Sequence, residues 1–108
     1  MKKTLSLILV IALMLCAASV AEYQLPEKLS IGHTVIDLSN VYFVNVSNAM
    51  REKCEELGFE YILNDGKSDP AVQVTAIENF IINEVDVIVV TPVDGMALGT
   101  VLQEAHDA

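Results

Sequence analysis

An apolar run followed by a helical pattern occurs three times, and this repeat constrains the fold more than any other feature of the sequence. The runs cover residues 31–36, 59–63 and 86–90. They start about 27 to 28 residues apart, which leaves room for one crossover helix between successive parallel strands. Residues 87–90 are apolar without alternation, as expected for a strand covered on both faces. The repeat therefore predicts parallel strands joined by helices.

Between and after the runs, apolar residues recur at steps of three or four, which is typical of amphipathic helices. Gly58 is placed to end the first helix, and Asp69-Pro70 opens the second as N-cap and first-turn proline. Asp94 is the expected N-cap of the third helix. The three stripes are Phe43, Val46, Met50, Cys54 and Leu57; Val74, Ile77, Ile81 and Val85; and Leu98, Val101, Leu102 and Ala105.

The predicted fold is α/β, a three-layer doubly wound parallel sheet with the element order β-α-β-α-β-α. Right-handed crossovers place helices on both faces of the sheet, and 2-1-3 is the strand order we expect. In that order strand three is an unpaired apolar edge, which folded proteins avoid. The sheet is therefore expected to be an incomplete lobe, cut short at Ala108.

Residues 1–21 have the composition of a secretion signal. A basic start, Met1-Lys2-Lys3, precedes an uncharged apolar stretch at 5–18, and Ser19-Val20-Ala21 supplies the small residues that signal peptidase reads. Cleavage is favoured over an uncleaved anchor, because the 17 residues from 5 to 21 are at the short limit for spanning a bilayer. Residues 22–108 are then the mature domain.

Charge and residue types exclude several classes of function. Loss of the signal leaves four basic and 15 acidic residues, a formal charge of −11. Nucleic acids and anionic membrane surfaces attract basic proteins, so neither is an expected partner. His33 and His106 lie far apart without Cys or carboxylates at ligand spacing, so no metal site is expected. No nucleophile–base pair is visible, so the sequence predicts neither an enzyme nor a cofactor.

The expected binding site lies beyond the carboxyl ends of strands one and three. In a 2-1-3 sheet the order in which strands are added across the sheet reverses between these two strands. The loops that follow these strands meet there. The first loop lacks the glycines of a pyrophosphate-binding loop, but its carboxylate, amide and aromatic groups suit a small polyhydroxylated ligand. The candidate contacts are Asp37, Asn40, Tyr42 and Phe43 from the first loop and Thr91 from the second.

Four of the five candidates also have a purely structural explanation. Asn40 is placed to cap the first helix, and Phe43 begins its apolar stripe. Asp37 can simply face water, and Thr91 can merely end a strand. Tyr42 lies off the stripe, which makes it the better stacking candidate. The residues alone leave these alternatives open.

Four strings of the sequence resemble the type 1 periplasmic binding proteins of the ribose and galactose class. In chain order they are IGHTVIDLSNVYF, AMREKCEELGFEYILND, SDPAVQVTAIENFI and VDVIVVTPVD, and the resemblance covers residues 31–108. It implies a much longer protein with two lobes. Sugar binds between the lobes, and the closed form docks on the permease of an ABC transporter.

The resemblance also implies roles for the loop residues. In ribose-binding relatives the loop after strand one reads roughly N-N-P-F-F. Asn40, Tyr42 and Phe43 match its second asparagine and its aromatic pair, which contact the sugar. Thr91 stands where relatives often have an asparagine, and Asp37 where some make a polar contact. The proline of the motif is missing here, and this departure leaves the identity of the sugar open.

On this basis the chain is expected to belong to a periplasmic or extracellular binding protein that takes up a sugar or polyol through an ABC permease. Membrane contact is expected only through the signal segment or the permease. An extracellular sugar-sensing domain of a signalling receptor is the alternative. A doubly wound enzyme would need catalytic partners for Asp37 or Asp94. For residues 22–108 alone, we expect weak or undetectable sugar binding and poor solubility, because the facing lobe is absent.

Overall fold

The computed structural model describes residues 26–108, so the predicted secretion signal lies outside the described residues. Strands and helices alternate along the chain as the sequence predicts. In order they are β1 (Ser30–Val35), α1 (Val41–Leu57), β2 (Glu60–Asp65), α2 (Pro70–Ile82), β3 (Val87–Val90) and α3 (Gly99–Asp107). None of the helices in this part of the chain is long and apolar enough to cross a membrane.

The strands form one parallel sheet in the order β2-β1-β3, which confirms the predicted topology. The β1–β2 ladder ends at Val35 and Asp65, and the β1–β3 ladder ends at Thr34 and Val90. The chain moves in opposite directions across the sheet from β1 to β2 and from β2 to β3. Right-handed connections therefore require α1 and α2 to cover opposite faces. Among the described residues, the outer edge of β3 has no strand partner.

The face covered by α2 and α3 holds the main apolar cluster. Ile77, Leu98 and Val101 are at most 4% exposed and form its centre. Partly buried residues from β3 and both helices pack around them: Val74, Ile81, Ile88, Val90 and Ala105. Burial of this cluster holds both helices against one side of the sheet.

Close approach between β1 and α2 depends on Gly32. A Cβ atom built on Gly32 would lie 2.7 Å from Cγ of Phe80 and 2.8 Å from both Cδ1 and Cδ2 of the ring. The glycine therefore leaves the space in which the Phe80 ring rests on the central strand. Phe80 is 4% exposed, so this contact fixes how deeply α2 sits on the sheet.

The face covered by α1 is more polar. His33 and Ser47 are each 1% exposed, and His33 Nδ1 lies 2.7 Å from the hydroxyl oxygen of Tyr61. Arg51 extends over the Tyr61 ring, with Cζ 5.3 Å from the ring centroid. Burial lowers the pKa of His33 and raises the pKa of Tyr61, because both charged forms lose hydration. Both side chains are therefore neutral at neutral pH.

The predicted boundaries of the first two helices are confirmed at the residues that set them. Gly58 has a left-handed φ of 72° and ends α1. Its N–H donates hydrogen bonds to the carbonyl oxygens of Cys54 and Glu55. Asp69 caps α2 by accepting a hydrogen bond from Ala71 N at 2.9 Å. Both conformations follow from the residue types. Gly58 has no Cβ to oppose a left-handed φ, and Asp69 carries an oxygen that accepts the capping hydrogen bond.

Three predictions at helix ends are wrong. Val85, expected on the stripe of the second helix, lies beyond Ile82, the last residue of α2. Leu57, expected on the buried stripe of α1, is 50% exposed in its last turn. Asp94 does not cap α3, which begins at Gly99 and has Leu98 at the N-cap position. Asp94 Oδ1 instead accepts a hydrogen bond from Met96 N at 2.9 Å. This bond closes a separate turn before the helix and so delays its start.

Candidate ligand-binding site

The carboxyl ends of β1 and β3 lie side by side at one rim of the sheet. Thr91 N donates a hydrogen bond to Thr34 O at 2.9 Å, directly after the last paired residues of the two strands. Beyond it, residues 36–40 and 91–98 leave the sheet from adjacent positions and lead to α1 and α3. The predicted adjacency of the two loops is confirmed. Open parallel sheets bind ligands at such a point, where the order of the strands across the sheet reverses.

Asp37 lies in the first loop, where the chain itself holds its carboxylate. Oδ1 accepts a hydrogen bond from Ser39 N at 2.6 Å, and Oδ2 accepts one from Ser68 Oγ at 2.9 Å. These hydrogen bonds lower the pKa of Asp37, and those from Ser39 have the largest effect. The carboxyl group is therefore ionised at neutral pH. A carboxylate offers about four acceptor positions. The bonds to Ser39 and Ser68 therefore leave acceptor capacity for a ligand.

The loop after β2 also reaches this rim, and that contribution was not predicted. Ser68 N donates to Ile36 O at 2.8 Å, and Leu38 N donates to Asp65 Oδ1 at 3.1 Å. Lys67 and Ser68 have φ angles of 51° and 55°, a left-handed conformation that is uncommon outside glycine. The polar string that follows the second strand was the available signal, because β2 is the neighbour of β1.

Asn40 caps α1 and still keeps hydrogen-bonding capacity. Its φ and ψ angles of −87° and 118° are those of an N-cap residue, and Oδ1 accepts a hydrogen bond from Tyr42 N at 2.9 Å. The side chain is exposed, and no residue within 26–108 accepts a hydrogen bond from its amide nitrogen. The cap uses the oxygen, while the two N–H groups remain free to donate.

The two aromatic residues after the cap have different environments. Tyr42 is 64% exposed, whereas Phe43 is half-buried. Their ring centroids are 5.2 Å apart with an interplanar angle of 78°, an edge-to-face pair. The edge contact steadies the Tyr42 ring while most of its surface stays accessible. This geometry suits Tyr42 for stacking against the C–H face of a ligand and Phe43 for supporting it.

Thr91 is fixed through its main chain and has a free hydroxyl. Its N–H is bonded to β1, and its carbonyl accepts a hydrogen bond from Gln73 Nε2 at 2.9 Å. No described residue bonds the Thr91 hydroxyl. Gln73 is fully buried and also accepts a hydrogen bond from Val93 N at 2.8 Å. It was missed in the sequence, where the only signal is a glutamine between the apolar residues Val72 and Val74.

The rim forms an open wall. A surface depression of about 350 Å³ lies elsewhere, beside β2, and is lined by Asn64, Thr75 and Asn79 among others. It includes none of the five candidate residues. Within residues 26–108, no group of three or more His, Cys, Asp or Glu side chains is placed to hold a metal ion. The arrangement offers hydrogen bonds and a stacking surface for a solute.

Known proteins of similar sequence and structure include solute-binding proteins. The chain is 27% identical to the ribose import binding protein of Bacillus subtilis over 115 residues, which cover 98% of this chain and 38% of that protein. A solute-binding protein from Burkholderia multivorans, with an unknown ligand represented as α-D-erythrofuranose, has a TM-score of 0.69 and 30% identity. That match covers 74% of this chain and 30% of the other.

A third relative is the solute-binding protein of an ABC transporter from Bacillus halodurans, solved with bound myo-inositol. It has a TM-score of 0.66 and 30% identity, over 73% of this chain and 28% of the other. The chain spans between 35% and 38% of the length of the curated relatives that it matches. The profile of the periplasmic binding protein domain matches residues 31–108. With the parallel sheet and the rim described above, this match shows that the chain belongs to the periplasmic binding protein domain family.

Proposed function

We propose that this chain supplies the first lobe of an exported protein that binds a sugar or related polyol for uptake through an ABC transporter permease. Residues 1–21 act as a cleaved secretion signal in this proposal, and residues 22–108 work in the periplasm or outside the cell. The ligand contacts are Asp37, Asn40, Tyr42, Phe43 and Thr91.

The observation that carries the proposal is the set of unused groups at the rim. The Asn40 amide nitrogen and the Thr91 hydroxyl have no partner within residues 26–108, Asp37 keeps acceptor capacity beyond its bonds to Ser39 and Ser68, and the Tyr42 ring is 64% exposed. A sugar or cyclic polyol presents hydroxyl groups that donate and accept, next to C–H faces that pack on aromatic rings. The two sets of groups are complementary.

The ligands of the relatives support the same chemical class. One relative is named for ribose import, one solved relative has an unknown ligand represented as α-D-erythrofuranose, and another contains bound myo-inositol. These compounds share several adjacent hydroxyl groups and carry no charge. A hydroxyl-rich neutral solute is therefore the substrate class that we propose for this chain.

The open shape of the rim also fits a site shared between two lobes. Groups that line only one side of a ligand leave the other side in water, which competes for the same hydrogen bonds. A facing lobe that closes over the ligand would exclude that water and complete the contacts. We therefore expect the wall formed by these five residues to bind sugar weakly when it acts alone.

The proposal can be tested by nuclear magnetic resonance on the isotope-labelled chain. D-ribose, D-glucose and myo-inositol are titrated separately, because the method detects weak binding and reports each amide. At least one of them is expected to shift the amides of residues 37–43 and 91–95 with a saturable dependence on concentration. The amides of Glu60 and Asp86, at the opposite end of the strands, serve as an internal control and should not move.

Two results would count against the proposal. One is the absence of saturable shifts with every sugar and polyol tested, both for this chain and for a full-length version that includes the facing lobe. The other is a set of shifts confined to surfaces away from the rim. Sodium sulfate at matched osmotic strength separates sugar binding from a general solvent effect, and it should leave the rim amides unchanged.

A further inference from the structure

Gln73 is the most fully bonded side chain in the described part of the protein, and all its partners lie at the rim. It projects from α2 and is 0% exposed. Nε2 donates to Thr91 O at 2.9 Å and to Val35 O at 3.2 Å, with a longer contact of 3.4 Å to Thr34 Oγ1. Oε1 accepts from Val93 N at 2.8 Å. The amide therefore uses both of its protons and its oxygen.

These bonds span a gap that the backbone leaves open. The last hydrogen bond between the backbones of β1 and β3 runs from Thr91 N to Thr34 O. Beyond it, no backbone hydrogen bond joins residues 36–40 to residues 91–95 in the described structure. Gln73 bonds the last residue of β1 and the first residues after β3 at the same time. The relative position of the two loops thus depends on this side chain.

The pattern of bonds resembles one more step of the parallel ladder. A residue in a parallel strand donates to the carbonyl before the facing residue and accepts from the N–H after it. Gln73 does the same on either side of Pro92, which has no N–H of its own. The side-chain amide therefore takes the place of a strand partner for residues 91–93.

Docking of α2 does not explain why a glutamine stands here. Ala76, Ile77 and Phe80 are at most 5% exposed and already anchor the helix through apolar contacts. An apolar residue at position 73 would add to this anchoring without burying an amide, whose burial is unfavourable unless every polar atom is bonded. What the amide adds is a set of directed bonds to the rim.

We propose that Gln73 is a positioning residue for the ligand site. It fixes the turn at residues 91–93 against the end of β1, and so it sets where the Thr91 hydroxyl lies relative to Asp37 and Asn40. Gln73 does not itself touch the ligand. The ligand part of this inference rests on the sugar-binding function proposed above.

Two substitutions separate positioning from general stability. Gln73→Met keeps the length and apolar stem of the side chain and removes all four contacts. Gln73→Glu keeps the acceptor for Val93 N and removes both donors to the carbonyls. Ile77→Val is the matched control, because it loosens the same helix at a buried site that bonds nothing at the rim. All are compared with the wild-type chain in titrations with myo-inositol, D-ribose and D-glucose.

The expected result is a weakening of about tenfold or more in both Gln73 variants, comparable to the loss when the hydrogen-bond partner of a metal ligand is removed. Ile77→Val should stay within about twofold of wild type. If neither the wild-type chain nor a full-length version with the facing lobe binds any of the probes, the proposed function fails. If the wild type binds and the Gln73 variants match Ile77→Val, the function stands and this inference is overturned.

A measurement on the unmodified chain keeps the inference testable if the variants do not fold. The side-chain NH₂ of Gln73 and the amide of Val93 should both exchange slowly with solvent, because each is bonded in a buried site. Nuclear Overhauser contacts should connect them. Rapid exchange of Val93 N–H at the rate of an exposed loop amide would contradict the proposed bond and the inference with it.

Discussion

His33 Nδ1 and the hydroxyl oxygen of Tyr61 lie 2.7 Å apart and link β1 to β2 beneath α1. His33 is 1% exposed, so its ring nitrogen depends on this partner. Tyr61→Phe removes the partner and keeps the ring. A buried polar group left without a hydrogen bond costs about 1–3 kcal/mol, and we expect the free energy of unfolding to fall by that amount. Urea denaturation followed by circular dichroism measures the change.

Tyr42→Phe provides the matched control for that experiment. The Tyr42 ring is 64% exposed, and no residue within 26–108 bonds its hydroxyl. Removing a solvated hydroxyl is expected to change the unfolding free energy by less than about 0.5 kcal/mol. Equal losses in the two variants would show that the bond between His33 and Tyr61 adds nothing to stability.

The stability of the chain should fall as the pH drops below about 6.5, the ordinary pKa of histidine. Burial lowers the pKa of His33 in the folded state, so the unfolded state binds a proton first. Stability is therefore complete above the unfolded pKa and declines as the pH falls towards the folded pKa. Urea midpoints measured between neutral and mildly acidic pH test this. His33→Gln should flatten the dependence, and an unchanged slope in that variant would rule out His33 as its source.

The carboxylates should change the stability of the chain in a separate, more acidic pH range. Hydrogen bonds lower the pKa values of Asp37 and Asp86 below 3.8, so their contributions are present above that pH and are lost as the pH falls further. The decline caused by His33 should therefore begin first as acid is added.

Asn40→Asp should separate the capping role of this residue from its proposed role in binding. Aspartate caps a helix about as well as asparagine, so the unfolding free energy should change by less than about 0.5 kcal/mol. The aspartate side chain has no N–H groups to donate, so sugar-induced shifts at residues 91–95 should weaken. Asn40→Ala should lose both properties, with a stability loss of about 1 kcal/mol. Wild-type sugar affinity in Asn40→Asp would limit Asn40 to capping.

Gly66→Ala should destabilise the protein because the site has no room for a methyl group. A Cβ on Gly66 would collide with Val35 O and would lie 2.9 Å from Cγ of Gln73. Overpacking of this kind costs about 1–3 kcal/mol. Gly95→Ala is the control, since no atom lies within 4 Å of its added Cβ. Thermal unfolding of the two variants should differ clearly, and similar melting temperatures would refute this account of Gly66.

The strands and their order were predictable because they depend on local pattern and on one general rule. The unbroken apolar run at 87–90 marks a strand of a parallel sheet, although Val87, expected to be covered, is 41% exposed. The right-handed crossover rule restricts how three such strands can be arranged. The C-terminal end of α1 and the N-terminal end of α2 were predictable for a similar reason, since Gly58 and Asp69 act on backbone groups within a few residues of themselves.

The partners of Gln73 and Ser68 were not predictable, because they are main-chain and carboxylate groups on other strands and loops. Gln73 reaches groups 18 to 39 residues away, and Ser68 bonds a carboxylate 31 residues away. Such bonds depend on the register of the sheet, and an apolar run without alternation, such as residues 87–90, does not fix that register. The pairing of His33 with Tyr61 was missed for the same reason.

Because glycine has no Cβ, position 32 has an effect that reaches well beyond the middle of the sheet. Gln73 lies two helical turns before Phe80, so both project from the same side of α2. A methyl group at position 32 would raise the ring and tilt the helix, and the amide would then be drawn back from the carbonyls at the far end of the strand. Affinity for a solute would then change through a substitution that neither touches that solute nor borders any residue that does.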